Sequence, residues 1–243
     1  MKYINKKLSI EKIDFPKIAE KFGTPFYSYS YSKLKENINN FKKNFKSFSP
    51  LICFAVKSNT NVNILKEIKK FGLGADVVSI GELMMALKAG INPNKIVFSG
   101  VGKTSLEINF AINKKIFLIN AESLSEIKEI NRIAKSKSKK VRIGVRLNPN
   151  TDAKTLSQIS TGKKENKFGV NKNTLYEIIN YCKNSKNINL KCLSVHIGSQ
   201  ILNHKPYDKM LKVINKILNK IDHKFEFIDL GGGMGITYSN ENK

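Results

Sequence analysis

The chain has no tryptophan, six prolines and three cysteines in 243 residues. Cys53, Cys182 and Cys192 form no CxxC pair, so their spacing offers no disulfide framework. The histidines, His196, His204 and His223, have no metal-ligand spacing with those cysteines. No apolar run approaches the roughly 20 residues that a membrane-spanning helix needs. The opening MKYINKKLSI lacks the apolar stretch of a secretory signal. These absences set the expectation of a soluble, cytoplasmic protein, long enough to bury a core without covalent staples.

Acidic residues are also few, 19 against 43 lysines and arginines, for a formal charge of +24. Such an excess can mark a nucleic-acid or anionic-membrane surface, which would bind with strong salt dependence. The pattern argues otherwise. Lysines are scattered as pairs along the whole chain, arginine is scarce, and aromatics do not interleave with the basic runs. Only KSKSKK (135–140) is clustered, as expected of a solvated loop before a strand. Neither nucleic acid nor membrane is expected as a partner.

After residue 50, apolar strand candidates alternate with amphipathic helical stretches. The strands are LICFAV (51–56), ADVVS (75–79), KIVFSG (95–100), IFLI (116–119), VRIGVRL (141–147), LSVHIG (193–198) and FEFIDL (225–230). Capping boxes at Ser79–Glu82, Thr104–Glu107 and Ser123–Glu126 mark helix starts, and Gly90 suits a helix end. The alternation predicts a parallel sheet of the TIM (β/α)8 type. The count is one strand short, so the expectation is an α/β barrel without its last strand. Residues 1–50 read as a separate N-terminal segment, with TPFYSYS (24–30) as a strand belonging elsewhere, and residues 51–243 as the incomplete barrel.

Polar residues fall at the strand ends, where a TIM barrel carries its site. Lys57 closes an apolar strand whose lysine face (Leu51, Cys53, Ala55) is mostly small. That stretch alone favours a lysine merely reaching water; a ligand is the other reading. Asp76 falls on the second strand, Arg146 at the end of the fifth and His196 on the sixth. Strand parity puts Arg142, Gly144 and Arg146 on one face, and Ser194, His196 and Gly198 likewise, which predicts a polar set facing inward. Gly231, Gly232 and Gly233 follow the seventh strand, where backbone N–H groups can cradle a phosphate; a plain flexible turn is the alternative. A lysine amine, a flat imidazole and a phosphate cradle at one barrel mouth suit pyridoxal 5'-phosphate, held through its aldehyde.

FAVKSNTN, GADVVSIGEL, FSGVGKT, ISTGKKENKFGV, HIGSQ and IDLGGGMGI, in this order from about residue 20 to 240, resemble the successive motifs of the diaminopimelate decarboxylase family. The resemblance implies decarboxylation of meso-2,6-diaminopimelate to L-lysine in a cytoplasmic homodimer. It gives Lys57 the Schiff-base role, stacks His196 on the cofactor ring, and assigns the phosphate to Ser199 and the glycines 231–233. Asp76 and Arg146 match positions near the cofactor. Glu82 matches another, although its helix cap explains it equally well and is preferred. The family also has a Glu-Pro-Gly-Arg motif that supplies the ring nitrogen's acidic partner. A second, β-rich domain completes a partner subunit's site. Neither is in this sequence, so the expectation is an N-terminal fragment, inactive alone. TLSQ (155–158) departs locally, with Leu156 where the family usually has histidine. Related ornithine, arginine or carboxynorspermidine decarboxylases, alanine racemase, or a non-catalytic single-domain cofactor-binding barrel are the alternatives.

Overall fold

A computed structural model describes residues 2–150 and 168–238. TLSQ, Leu156 and most of ISTGKKENKFGV lie outside the described residues. The chain divides into two compact units, Met1–Leu51 and Ile52–Lys243.

In the first unit, β1 (Lys2–Ile4), β2 (Lys7–Ile10) and β3 (Ile13–Asp14) form an antiparallel sheet in that order. Asn5 and Lys6, both at positive φ, make the two-residue turn between β1 and β2. Helices α1 (Phe15–Phe22) and α2 (Tyr31–Asn44) follow. Residues 24–30, read above as a strand, carry none. Instead Ser30 caps α2 by accepting from the Lys33 amide, and Glu11 accepts from Ser32 N–H at 2.8 Å. The strands of this unit were missed because two to four residues are too few to show a period.

The second unit is a seven-stranded, all-parallel sheet: β4 (Cys53–Ala55), β5 (Gly74–Val77), β6 (Ile96–Phe98), β7 (Leu118–Ala121), β8 (Val141–Arg146), β9 (Ile188–Ser194) and β10 (Phe227–Asp229). The strands neighbour each other in chain order, with β4 and β10 at the edges. Helices α3 (Val62–Lys70), α4 (Ile80–Lys88), α5 (Ser105–Asn113), α6 (Leu124–Ser136), α7 (Lys172–Lys183) and α8 (Lys205–Leu218) alternate with them. The sheet is curled. In a flat sheet β7 and β10 would stand about 14 Å apart, yet Asn120 on β7 donates to Asp229 on β10 at 2.8 Å.

Strand parity sorts the side chains into two environments. Ala75, Val77, Ile119, Ala121, Ile143, Val145 and Leu193 point outward and form the main core with Leu65, Leu83, Ile108, Ile127 and Ile130 of the helices. The inward residues form two tiers. The lower is apolar, with Cys53, Val97, Leu118 and Cys192 packed together. Burial pushes the Cys53 thiol up to about 12 and raises that of Cys192, so neither is a thiolate at neutral pH. The upper tier is polar and carries the candidate site.

Hydroxyl caps start three helices, as the sequence indicated: Ser79, Thr104 and Ser123 each accept an amide three residues on. Only Thr104–Glu107 is a complete capping box. Glu82 and Glu126 reach one residue further back, to the amides of Val78 and Glu122 at 2.9 and 2.8 Å. At the other end of α4, Gly90 (φ 81°) takes the left-handed position; its N–H bonds to Leu87 C=O and that of Ile91 to Ala86 C=O.

Candidate active site

Lys57 is not on its strand. β4 ends at Ala55, and Val56–Ser58 turn through a single 3-10 helix that buries Val56 and leaves Lys57 exposed. The polar residues behind it hold this turn. Ser58 Oγ donates to Ala55 C=O at 2.7 Å, and Asn61 caps α3 by accepting from the Asn63 amide. The amine therefore projects from a pinned turn at the sheet's C-terminal edge.

Asp76, on the neighbouring strand, accepts from Ser99 Oγ at 2.6 Å. Burial pushes its carboxyl up to about 6; the Ser99 hydrogen bond opposes this, as does the Lys57 charge, while Asp229 and Glu82 add to it. His196 lies two residues beyond the end of β9, later than the strand predicted to hold it. Burial lowers it to about 4, helped by the Arg146 and Lys57 charges, so the imidazole is neutral at pH 7. Its Nδ1 accepts from Gly232 N–H at 3.2 Å, which places the ring proton on Nε2. The Lys57 charge thus acts on both Asp76 and His196, and the Arg146 charge on His196.

Arg146 is held in a nearly buried ion pair, donating from Nη1 to Glu122 at 2.9 Å with its guanidinium 4.8 Å from the Phe168 ring centre. The other Glu122 oxygen accepts from Gly169 N–H at 3.0 Å. Arg142 shares Arg146's strand face but sits at the opposite end of β8, exposed over the Phe117 ring. It takes no part in the site. Parity alone does not distinguish the two ends of a strand.

The glycine run packs against the turn after β9. A side chain at Gly231 (φ 67°) would meet Val195 O at 2.6 Å and His196 Nδ1 at 2.7 Å, and one at Gly233 (φ 90°) would strike Gly198 O. Only glycine suits either place. The amides are unequally employed. Gly231 N–H donates to Asp229 Oδ1 at 2.8 Å and Gly232 N–H to His196, whereas those of Gly233 and Met234 make no hydrogen bond among the described residues. Ser199 follows Gly198 in the facing turn, partly exposed.

Beneath the mouth runs a hydrogen-bonded tier that sequence reasoning missed. Asn120 Nδ2 and Ser194 Oγ both donate to Asp229 Oδ2, at 2.8 and 2.9 Å, and Asn120 also approaches Ser99 at 3.4 Å. Asn120 is 1% exposed and its Oδ1 has no hydrogen-bond partner among the described residues. Gly144 makes room for it, since a Cβ there would overlap Asn120 Oδ1. Inward parity at Asn120 and Asp229 was the available signal.

Residues 31–243 match the family described as pyridoxal-dependent decarboxylase, pyridoxal binding domain. The chain belongs to that family. Diaminopimelate decarboxylase of Helicobacter pylori strain J99 is 44% identical over 231 residues, covering 94% of this chain and 57% of that protein. The same-named protein of Aquifex aeolicus is 39% identical, covering 100% and 58%. The crystal structure of the Helicobacter pylori enzyme complexed with L-lysine superposes with a TM-score of 0.91 at 43% identity, over 94% of this chain and 59% of that one. The chain thus spans a little under three-fifths of the length of these relatives.

The residues of this pyridoxal-binding domain fit pyridoxal phosphate. They offer an exposed primary amine for the aldehyde, a neutral flat ring that feels its charge, and the backbone N–H groups of Gly233 and Met234, which make no hydrogen bond among the described residues.

Proposed function

We propose that the protein, at the full length of its relatives, decarboxylates meso-2,6-diaminopimelate to L-lysine and carbon dioxide. The observation carrying this reading is the 43% identity to an enzyme solved with L-lysine, supported by a Lys57 charge that acts on both Asp76 and His196. The reading includes a cytoplasmic homodimer.

When bound, pyridoxal phosphate supplies an electron sink for the pair left behind as a carboxylate departs. The chain's residues divide the remaining work. Lys57 holds the aldehyde, and its 3-10 turn fixes where the amine stands. His196 offers a neutral face for the ring, because an imidazolium there would meet the Arg146 and Lys57 charges. Ser199 and the amides of Gly233 and Met234 would take the phosphate. Arg146, oriented by Glu122, brings positive charge to a mouth that must receive a dicarboxylate substrate.

The test begins with the cofactor. Pyridoxal phosphate is added to the chain, the product is reduced with borohydride, and peptides are mapped by mass. A pyridoxyl group on Lys57, absent from Lys57→Ala, is expected; labelling spread over surface lysines would overturn the site. Carbon dioxide release is then measured on the full-length protein with diaminopimelate, ornithine and arginine. Turnover of arginine or ornithine but not diaminopimelate would replace the substrate.

A further inference from the structure

We propose that Asp229 and Tyr207 are positioning residues that shape the glycine run into an anion site. On this inference Gly233 and Met234, rather than Gly231 and Gly232, supply the amides for the cofactor's phosphate. It rests on the pyridoxal-phosphate reading and deepens it.

The argument is an accounting of backbone groups. Four groups of the run are committed within the protein: Gly231 N–H to Asp229, Gly232 N–H to His196, Gly232 C=O to Tyr207 Oη at 2.9 Å, and Gly233 C=O to Ile201 N–H at 2.9 Å. An amide already donating to a carboxylate or an imidazole is poorly placed to hold an anion as well. The amides of Gly233 and Met234 make no hydrogen bond among the described residues, and at Gly233 a side chain would strike Gly198 O. Successive N–H groups in such a turn form an anion-binding concavity.

Asp229 fixes the direction of that turn. It stands at the end of β10 and accepts from Gly231, Asn120 and Ser194, tying the run to β7 and β9. Tyr207, from α8, holds the Gly232 carbonyl from the other side. Neither residue is assigned to the phosphate; each acts through the backbone it holds. The carboxylate has a second consequence. One oxygen serves the turn and the other the interior tier, whose Asn120 also approaches Ser99, the residue that donates to Asp76.

The test compares dissociation constants for pyridoxal phosphate and for pyridoxal, the same aldehyde without phosphate, read from the absorbance of the Lys57-bound form. Asp229→Ala, which leaves three donors unpaired, is expected to weaken pyridoxal phosphate about tenfold or more, and Tyr207→Phe about threefold. Pyridoxal binding should change less than twofold in both. Asp229→Asn should fall between wild type and Asp229→Ala, because its amide oxygen can keep Gly231 while Asn120 turns over to present Oδ1. If Asp229→Ala does not fold, Tyr207→Phe and Asp229→Asn decide. Equal weakening of both aldehydes, or no change in either, overturns the inference. A wild-type chain that labels Lys57 with neither aldehyde overturns the cofactor reading itself.

Discussion

Two side chains at the mouth carry opposite pH sensitivities. Burial raises the Asp76 carboxyl from 3.8 to about 6, so the folded chain holds a proton that the unfolded chain has released. Stability therefore falls as pH rises through that window, and ionised Asp76 costs about 3 kcal/mol above it. His196 behaves inversely: lowered from 6.5 to about 4, it costs stability as pH falls through its own window. Asp76→Asn should thus stabilise the chain by about 1–3 kcal/mol at pH 8, with a smaller gain at pH 5. Urea unfolding at both pH values checks this; a gain that does not shrink on acidification would remove burial of the charge as its cause. Lys57 illustrates what one residue can and cannot say. Its place after an apolar strand was legible, whereas the 3-10 turn that aims it depends on Ser58 meeting Ala55 C=O, a choice that strand periodicity does not encode.

At the scale of elements, carboxylates from successive helix starts hold the loops together. Glu107 of α5 caps its own helix and also accepts from Ile80 N–H, the first amide of α4, at 2.9 Å. Glu126 of α6 accepts from Glu122 N–H and pairs at 2.7 Å with Lys103, whose side chain is 1% exposed. Lys103 also donates to Gly100 C=O and lies 5.8 Å from the Phe98 ring centre. This accounts for the lysine of FSGVGKT: it is the buried half of a loop-to-helix staple. Breaking such a pair leaves an uncompensated buried charge, at about 3–5 kcal/mol. Glu126→Gln is expected to lower stability by an amount near the bottom of that range, since the amide still accepts one bond. Lys103→Met should cost less than Glu126→Ala, because it keeps the volume and the carboxylate left behind is less buried and still accepts from Glu122 N–H, whereas Glu126→Ala strands the lysine. Thermal unfolding gives the order; the reverse order would show the pair is not what holds the loop. Glu82 keeps its capping duty here, although its carboxylate serves the Val78 amide rather than its own N-cap.

Across the whole molecule, a charge of +24 is a self-repulsion that folding concentrates. Raising monovalent salt from about 0.01 to 0.15 M shortens the screening length from roughly 30 to 8 Å. The midpoint of thermal unfolding should rise over that range, and with sodium chloride as well as with potassium chloride. A midpoint that moves only with phosphate or sulfate would instead indicate occupation of an anion site. Repulsion is spread over the surface, whereas the second unit's main core is uninterrupted from Val56 to Ile217, which is why an excess of lysine is compatible with this fold.

What the sequence determined by itself was local or repetitive. The alternation of strands and helices, the hydroxyl caps at Ser79, Thr104 and Ser123, the left-handed Gly90, the inward face of Ser194 and Arg146, and the motif order that marks the family all follow from backbone period and turn chemistry. These are set by neighbours a few residues away. The tertiary structure decided the rest. It placed Arg146 at the mouth and Arg142 at the far end, put His196 beyond its strand, and joined Asn120 to a carboxylate 109 positions later. It also chose which glycine amides are spent internally and which remain for a ligand. A hydrogen-bond partner is selected by how the sheet curls, and curling is a property of all seven strands together rather than of any one.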